Sequence, residues 1–238
     1  MTVNVDEGLR ARVTRVKQAI EAATARSGRQ PREVTLVGVS KTVGPEQVRE
    51  AVELGIRHFG ENRVQEAEAK VEALAGQLAT PVDWHLIGHL QSNKARKAAR
   101  LFAVIESVDT LDLAIALSRI AEATSARLAV LLEVNVSGEA SKFGFAPEAL
   151  AEVFPRLIEL PGLEVRGLMT VAPAVKEMED ARPVFRGLRE LRERLSEAHP
   201  RADLRELSMG MTGDFPVAIE EGATLIRVGR ALFGERLA

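Results

Sequence analysis

The chain has 238 residues, of which 46% are hydrophobic and 28% are charged, and it contains neither cysteine nor tyrosine. This hydrophobic content excludes a disordered chain, and a chain of this length is expected to bury a self-sufficient core. With 32 basic and 34 acidic residues the formal charge is −2, so we expect no general attraction to nucleic acid or to an anionic membrane. The lack of cysteine excludes disulfides, thiolate catalysis and cysteine zinc sites.

The apolar runs and the first residues of the chain indicate its compartment. No uninterrupted apolar run approaches the length of a membrane span. Residues 1–7 lack the basic and then apolar layout of a signal peptide. We therefore expect a cytoplasmic protein that has no membrane partner.

Sequence periodicity predicts one N-terminal helix followed by eight strand–helix units. Residues 1–30 carry apolar side chains at helical spacing, and Ser27 and Gly28 end this helix. The predicted strands are residues 34–40, 56–60, 82–88, 102–108, 127–136, 163–171, 204–209 and 224–228. The predicted helices that follow them are residues 45–54, 61–78, 92–100, 111–124, 147–160, 178–198, 214–221 and 230–233.

This alternation predicts an α/β fold built on a parallel sheet. Strands that are apolar on both faces are typical of a parallel sheet covered by helices. Eight β/α units in roughly 205 residues predict a single (β/α)8 TIM barrel with one extra N-terminal helix. A doubly wound open sheet is the alternative. No linker or long repeat divides the sequence, so we expect one domain over residues 1–238.

Lys41 follows the first predicted strand, directly after a Val-Gly-Val-Ser segment. Side chains at the carboxyl ends of barrel strands surround the site that such barrels use. Desolvation of a lysine amine there lowers its pKa and raises the neutral fraction, which forms a Schiff base with an aldehyde or ketone. The alternative is a surface lysine that extends from a strand end into solvent.

The loops after the last two predicted strands have the composition of a phosphate-binding site. Gly210 and Gly213 allow close approach of the backbone, and Ser208 and Thr212 supply hydroxyl groups. Gly229 opens the last predicted helix, whose first N–H groups would face the same place. Barrels frequently bind phosphate with these two loops. Ordinary turn glycines with capping residues are the alternative.

Two further motifs favour structural roles. His85 and His89 are four residues apart, but no third histidine or cysteine nearby completes a metal site. We therefore expect packed or loop histidines there, and the sequence suggests no partner for His58 or His199. The basic stretch 94–100 contains no aromatic residue, so we expect a solvated helix face rather than a nucleic-acid site.

A series of short segments, in order along the chain, matches one known family. These segments are residues 39–42 (VSKT), 59–66 (FGENRVQE), 84–94 (WHLIGHLQSNK), 134–139 (VNVSGE), 141–144 (SKFG), 167–170 (GLMT), 208–211 (SMGM), 227–230 (RVGR) and 233–234 (FG). On these residues the sequence resembles the pyridoxal phosphate homeostasis proteins (the YggS/PROSC family). The resemblance extends from about residue 32 to residue 236, across all eight predicted units.

The resemblance implies a fold-type III barrel, like the N-terminal domain of alanine racemase, that holds pyridoxal 5′-phosphate as a Schiff base on Lys41. It also implies that Asn62 lies near the cofactor ring and that Arg227 neighbours the pyridine nitrogen. A permanently charged arginine beside that nitrogen disfavours its protonation and makes the ring a weaker electron sink.

The resemblance also implies where the cofactor phosphate binds. Ser208 and the backbone at Gly229 and Arg230 would hold the phosphate. Met209 and Gly210 would shape that pocket.

Two positions depart from the family pattern. Arg63 stands where many relatives have tyrosine, and Thr212 stands where serine is common. Thr212 keeps the hydroxyl group, so phosphate binding is little affected, whereas Arg63 puts any role of that side chain in doubt.

The function that the resemblance implies is intracellular vitamin B6 homeostasis by a protein that is not an enzyme and that buffers pyridoxal 5′-phosphate or delivers it to apoenzymes. The resemblance also implies a monomer or a loose dimer, and we expect the monomer. A fold-type III racemase or decarboxylase is one alternative, and a Schiff-base aldolase acting on a phosphorylated sugar is another. Racemases of this type use an acid–base tyrosine and a second, β-rich domain, and this sequence offers neither. An aldolase would need a lysine–carboxylate pair on adjacent strand ends, and the sequence shows no obvious pair of this kind. We therefore expect a cofactor-binding protein.

Overall fold

The computed structural model describes residues 8–234, in which eight parallel strands close into a barrel. The strands are Thr35–Val39 (β1), His58–Glu61 (β2), Asp83–Leu86 (β3), Val104–Val108 (β4), Leu128–Glu133 (β5), Leu163–Met169 (β6), Glu206–Met211 (β7) and Leu225–Val228 (β8). Each strand pairs with the next along the chain, and β8 pairs with β1 to close the ring. The predicted (β/α)8 barrel is confirmed, and the open sheet is excluded.

The two ends of the predicted domain lie outside the described residues. At one end are residues 1–7, for which the sequence predicts no signal peptide. At the other end are residues 235–238, which include the last residues of the family resemblance.

Helices surround the barrel and connect its strands. They are Leu9–Arg26 (α1), Pro45–Glu53 (α2), Val64–Leu74 (α3), Ala95–Leu101 (α4), Leu111–Glu122 (α5), Pro147–Ile158 (α6), Arg182–Ala198 (α7), Phe215–Glu220 (α8) and Arg230–Phe233 (α9). The extra helix α1 packs against α8 and α9 through a buried stripe that includes Val13, Ile20 and Ala23. Within residues 8–234, no helix combines the length and the apolar composition of a membrane-spanning segment.

Apolar side chains form two separate clusters. The large cluster includes the fully buried Phe59, Phe154 and Phe185 and joins the strands to the helices. A small second cluster consists of Val104, Ala129, Leu131 and Met169 on β4, β5 and β6. Because strand side chains alternate between faces, Glu106 and Glu133, each two residues further along its strand, share the face of the small cluster. Charged groups therefore occupy part of the barrel interior.

Two strands extend further than predicted, and both differences affect the site. Glu61, predicted to begin a helix, is the last residue of β2. Residues 208–210, of which Gly210 was expected in a loop, lie within β7, which continues to Met211. The reason is a bulge: Gly210 has φ of 91°, and the register of β7 against β8 shifts at this point.

The remaining differences are limited to element ends. The strand predicted over residues 127–136 ends at Glu133, after which Val134 forms an isolated bridge with Phe145. The helices predicted from residues 92 and 178 begin as 3₁₀ turns and become α-helical three or four residues later. Ends of this kind follow local hydrogen bonding that periodicity alone does not specify.

Candidate functional site

A cavity of about 430 Å³ opens at the carboxyl end of the barrel, within the size range of about 300–1,000 Å³ typical of small-molecule sites. Five of the predicted site residues line it, namely Lys41, Asn62, Arg227, Gly229 and Arg230. They come from the ends of β1, β2 and β8. The apolar part of the lining consists of Val39, Ile87, Val171, Pro173, Ala174, Val175 and Met211. The topology therefore brings a lysine and an arginine into one cavity.

Lys41 lies two residues past β1 and is half-buried, and hydrogen bonds hold the residues on both sides of it. Before it, the carbonyl of Ser40 accepts a hydrogen bond from Lys70 Nζ at 2.5 Å. After it, the N–H of Thr42 donates to the carboxylate of Glu66. Thr42 has φ of 65°, a left-handed conformation that residues other than glycine rarely adopt. These contacts fix the backbone from which the Lys41 side chain extends.

Ser40, Glu61 and Lys70 form a buried group that we call the lysine-loop cluster. The Ser40 hydroxyl donates to Glu61 Oε1 at 2.6 Å, and Lys70 donates to the same oxygen. The second oxygen of Glu61, Oε2, has no hydrogen-bond partner among the described residues. Burial raises the pKa of Glu61, although the contacts with Lys70 and Ser40 oppose this shift. The cluster joins the Lys41 loop to β2 and α3.

Arg227 is 3% exposed, and hydrogen bonds fix its guanidinium group. Nη1 donates to Ser208 Oγ at 2.5 Å, and Nη2 donates to the carbonyl of Thr170 at 2.7 Å. Burial lowers the pKa of Arg227, and the charge of Glu106 is the largest opposing effect. An arginine nevertheless stays protonated in proteins, so the cavity contains a fixed positive charge.

Arg227 is the first member of a row of five buried or half-buried side chains, which we call the interior chain. From Arg227 it continues through Ser208, whose hydroxyl donates to Glu106 Oε2 at 2.5 Å. Glu106 Oε1 lies 2.7 Å from His85 Nδ1, and His85 Nε2 lies 3.1 Å from His58 Nδ1. Burial opposes the ionisation of Glu106, but its contacts with His85, Arg227 and Ser208 together lower its pKa. The five members belong to five different strands.

The turn after β7 and the start of α9 lie side by side at the rim of the cavity. Thr212 Oγ1 lies 3.4 Å from the second backbone N–H of α9. Asp214 Oδ1 closes the turn by accepting from the N–H three residues earlier at 2.6 Å. Gly229 and Arg230 begin α9, and the first N–H groups of a helix have no acceptor within the helix. This rim offers backbone and hydroxyl groups of the kind that bind phosphate.

Three of the predicted site residues do not line this cavity. Ser208, Met209 and Gly210 are buried within β7, below the rim. The Ser208 hydroxyl both donates and accepts within the interior chain, to Glu106 and from Arg227. Thr212, the first residue after β7, is the hydroxyl residue that lines the cavity. Of these three, Gly210 was expected in the loop, and the bulge there carries β7 on to Met211.

His89, Arg63 and Lys97, which the sequence placed outside the site, have the following surroundings. His89 Nδ1 lies 2.8 Å from Asp109 Oδ2, and its ring stacks on Phe143 with centroids 3.9 Å apart. Over residues 8–234, no group of three or more histidine and carboxylate side chains is arranged to hold a metal ion. Arg63 is exposed and does not line the cavity, and Lys97 of the basic helix pairs with a glutamate of α3.

Three buried glutamates, Glu61, Glu106 and Glu133, were not predicted as polar groups of the barrel interior. Burial, and then the charge of Asp109, raises the pKa of Glu133 to about 7. Glu106 and Glu133 lie inside predicted strands that are otherwise largely apolar, and a charge in such a place was a usable signal. Glu61 gave no such signal because we assigned it to a helix.

Comparison with known proteins extends over nearly the whole chain. Residues 12–237 match the family model described as alanine racemase, N-terminal domain. A relative from Aquifex aeolicus, named pyridoxal phosphate homeostasis protein, is 46% identical over 225 residues, which are 94% of this chain and 97% of the relative. The protein of the same name from Pseudomonas aeruginosa is 44% identical over 98% of this chain and 96% of its own.

Solved structures show the same similarity in three dimensions. PipY of Synechococcus elongatus PCC7942, solved with PLP bound, superposes with a TM-score of 0.83 at 39% identity, covering 95% of this chain and 100% of PipY. An alanine racemase from Clostridium difficile 630 superposes with a TM-score of 0.70 at 15% identity. This chain covers 56% of the racemase, and the likeness concerns the barrel fold alone.

Proposed function

Because this chain belongs to the family of pyridoxal phosphate homeostasis proteins, we propose that it binds pyridoxal 5′-phosphate (PLP) at the mouth of its barrel. In this proposal PLP is held as a Schiff base on Lys41, and the protein buffers the cofactor or delivers it to apoenzymes instead of turning over a substrate. The proposal places this role in the cytoplasm, with residues 1–238 acting as one domain and as a monomer.

The observation that carries this proposal is the convergence of unlike groups in one cavity. Lys41, Arg227 and Thr212 line the same space of about 430 Å³, together with the start of α9. An amine, a fixed cation and a rim of backbone N–H groups match the aldehyde, the ring nitrogen and the phosphate of PLP. The apolar residues of the lining suit the faces of its ring. The residues present therefore fit the cofactor.

Each part of the cavity has a separate task in this proposal. PLP supplies an aldehyde, which condenses with a primary amine to form an imine and release water. The hydrogen bonds on both sides of Lys41 fix the backbone from which its side chain extends, which lowers the entropic cost of that attachment. Arg227, held by Ser208 and Thr170, donates to the ring nitrogen and disfavours its protonation. A ring held in this way is a weaker electron sink than one whose nitrogen is paired with a carboxylate.

The phosphate contributes much of the affinity. In the proposal Thr212 and the backbone N–H groups of Gly229 and Arg230 hold it at the rim of the cavity. Hydrogen bonds to a charged acceptor contribute about 1.5–3 kcal/mol each, so a few of them retain the cofactor without the covalent bond. Lys41→Ala is therefore expected to lose the imine but to keep some bound PLP.

Borohydride reduction followed by peptide mass mapping tests the attachment site. We expect a pyridoxyl group on the peptide that contains Lys41, and none there in Lys41→Ala. Lys176→Ala is the matched control, because Lys176 is exposed and follows the cavity residue Val175. This control is expected to label like the unchanged protein. A pyridoxyl group on another lysine, or on none, would contradict the proposal.

Optical rotation tests the carrier role against the racemase alternative. The PLP-loaded protein is incubated with L-alanine, and the rotation is followed over many hours. We expect it to stay constant. A sustained loss of rotation that disappears in Lys41→Ala would contradict the carrier role while leaving the binding site intact.

A further inference from the structure

The interior chain crosses the barrel from the cavity to the opposite end. The ionised Glu106 can only accept hydrogen bonds, so the Ser208 hydroxyl and His85 Nδ1–H both donate to it. The Ser208 oxygen is then left to accept from Arg227. A neutral His85 must use its Nε2 as an acceptor, so His58 Nδ1–H donates to it at 3.1 Å. Each hydrogen bond of the interior chain thus has a defined donor and a defined acceptor.

The far end of the interior chain opens into a second cavity, of about 350 Å³, at the amino end of the barrel. The His85 side chain is 2% exposed, whereas that of His58 is 33% exposed and lies 3.7 Å from Asp83 Oδ2. Burial, followed by the neighbouring His85, lowers the pKa of His58. A proton can therefore enter and leave the interior chain at His58, on the side of the barrel away from the PLP site.

We propose that Glu106 is a positioning residue for Arg227, and that the His58–His85 pair transmits protonation at the amino end of the barrel to Arg227 and so to PLP affinity. The inference deepens the proposed function and rests on it. A proton on the histidine pair draws the charge of Glu106 toward His85. Arg227 is then less compensated and attracts the anionic cofactor more strongly. PLP therefore binds more tightly as the histidine pair becomes protonated.

Other charged groups act on both ends of the chain. The groups that face His58 or line the cavity with it are Asp83 and His85 from β3, Glu106 from β4, Arg166 from β6, Glu206 from β7 and Glu33 from the turn before β1. Arg227 is faced by Glu106, Glu133 and Asp214. Asp83 favours the protonated form of His58, and His85 opposes it. Among residues 8–234, Glu106 alone contacts both His85 and Ser208 directly and so connects the two ends.

The first test uses the protein without PLP and follows its four histidines by NMR as a function of pH. Glu106→Gln removes the negative charge, so the His58 midpoint is expected to fall by about half a pH unit or more. Arg227→Met removes the positive charge, so that midpoint is expected to rise. His199, which packs on Phe154, is the internal control and is expected not to move. An unchanged His58 midpoint in a folded variant of either kind would overturn the coupling.

The second test needs no destabilising substitution. Loading with PLP is expected to raise the His58 midpoint by about half a pH unit, and linkage then requires the reciprocal effect on affinity. Between pH 7.5 and pH 5.5, the dissociation constant is expected to fall about twofold further in the unchanged protein than in His58→Gln. His89→Gln, which alters the His89–Asp109 pair outside the interior chain, is the matched control and keeps the full effect. Superimposable profiles for the unchanged protein and His58→Gln would overturn the inference.

The two proposals fail differently. A protein that binds no PLP contradicts the proposed function, while the NMR titrations without PLP still decide whether charge at the two ends is coupled. A protein that binds PLP on Lys41 but has equal pH profiles contradicts only the role of the interior chain.

Discussion

Glu61 and Glu106 are both completely buried in the same barrel, yet their pKa values shift in opposite directions. In the interior chain both oxygens of Glu106 accept hydrogen bonds, one from His85 and one from Ser208. In the lysine-loop cluster only one oxygen of Glu61 is satisfied. Burial opposes ionisation in both places, so the number and charge of the partners decide the result.

The difference also concerns what each cluster does for the cavity. The interior chain compensates a buried arginine that lines the cavity and connects it to the other end of the barrel. The lysine-loop cluster is local and holds the backbone beside Lys41. Two substitutions separate these roles, and two more, at Glu133 and Glu164, test the effect of burial on a carboxylate outside both clusters; they follow in order of expected effect.

Removal of the carboxylate of the interior chain should have the largest effect. Glu106→Leu leaves the charge of Arg227 buried without its nearest counter-ion, and we expect a loss of about 3–5 kcal/mol in the free energy of unfolding. Urea denaturation at pH 7 measures this loss. The double variant Glu106→Leu with Arg227→Met should recover most of the stability, since it removes both charges. A double variant less stable than Glu106→Leu would show that packing, not charge, dominates there.

Removal of Lys70, the cation of the lysine-loop cluster, should lower the free energy of unfolding by less than removal of Glu106. Lys70→Met leaves Glu61 unpaired, and we expect a loss of about 2–3 kcal/mol at pH 7. Burial already raises the pKa of Glu61, so the folded variant takes up a proton more readily than the unfolded chain. The loss should therefore shrink as the pH falls from 7 toward 5. Denaturation at both pH values tests this, and an equal loss at each would contradict it.

Glu133 provides an intermediate case whose effect depends on pH. Its pKa of about 7 lies above the ordinary value of 4.5, so the folded state binds more protons and stability falls as the pH rises through this range. Glu133→Gln removes that loss. We expect the stabilisation to be about 2–3 kcal/mol larger at pH 8 than at pH 4.5, where it is close to zero. Thermal or urea unfolding at the two pH values measures the difference, and a constant effect would contradict the shift.

Glu164, a carboxylate at the surface, should have the smallest effect on stability and serves as a matched control for Glu133. Glu164 pairs with Arg166 and Arg205, and these contacts lower its pKa to about 2 although burial acts against them. This carboxylate therefore stabilises the fold above pH 4.5, and the effect is lost as the pH falls toward 2. Because Glu164 and its two arginine partners are largely solvated, Glu164→Gln should lower the free energy of unfolding by less than about 1 kcal/mol at pH 7. A larger loss would show that this surface network matters more than its exposure suggests.

Local periodicity was sufficient to predict the barrel. The spacing of apolar residues placed eight strands within a few residues of their positions, because strand and helix periods are properties of short segments. Lys41 was singled out for the same reason, since it directly follows a short apolar strand. Gly210 shows the limit: in sequence it resembles a turn residue, but in the barrel it forms a bulge and β7 continues past it.

The chain by itself therefore determined the closed barrel, its N-terminal helix and the strand ends at which a cofactor site can lie. Only the tertiary structure decided which polar groups face one another inside. Glu106 and Ser208 are 102 residues apart in sequence, and His58 meets His85 through two parallel strands joined by a helix. Such pairs depend on barrel register and strand stagger, which arise only when all eight strands close. That closure buries the charges, and it is burial together with their partners that gives each carboxylate its particular pKa.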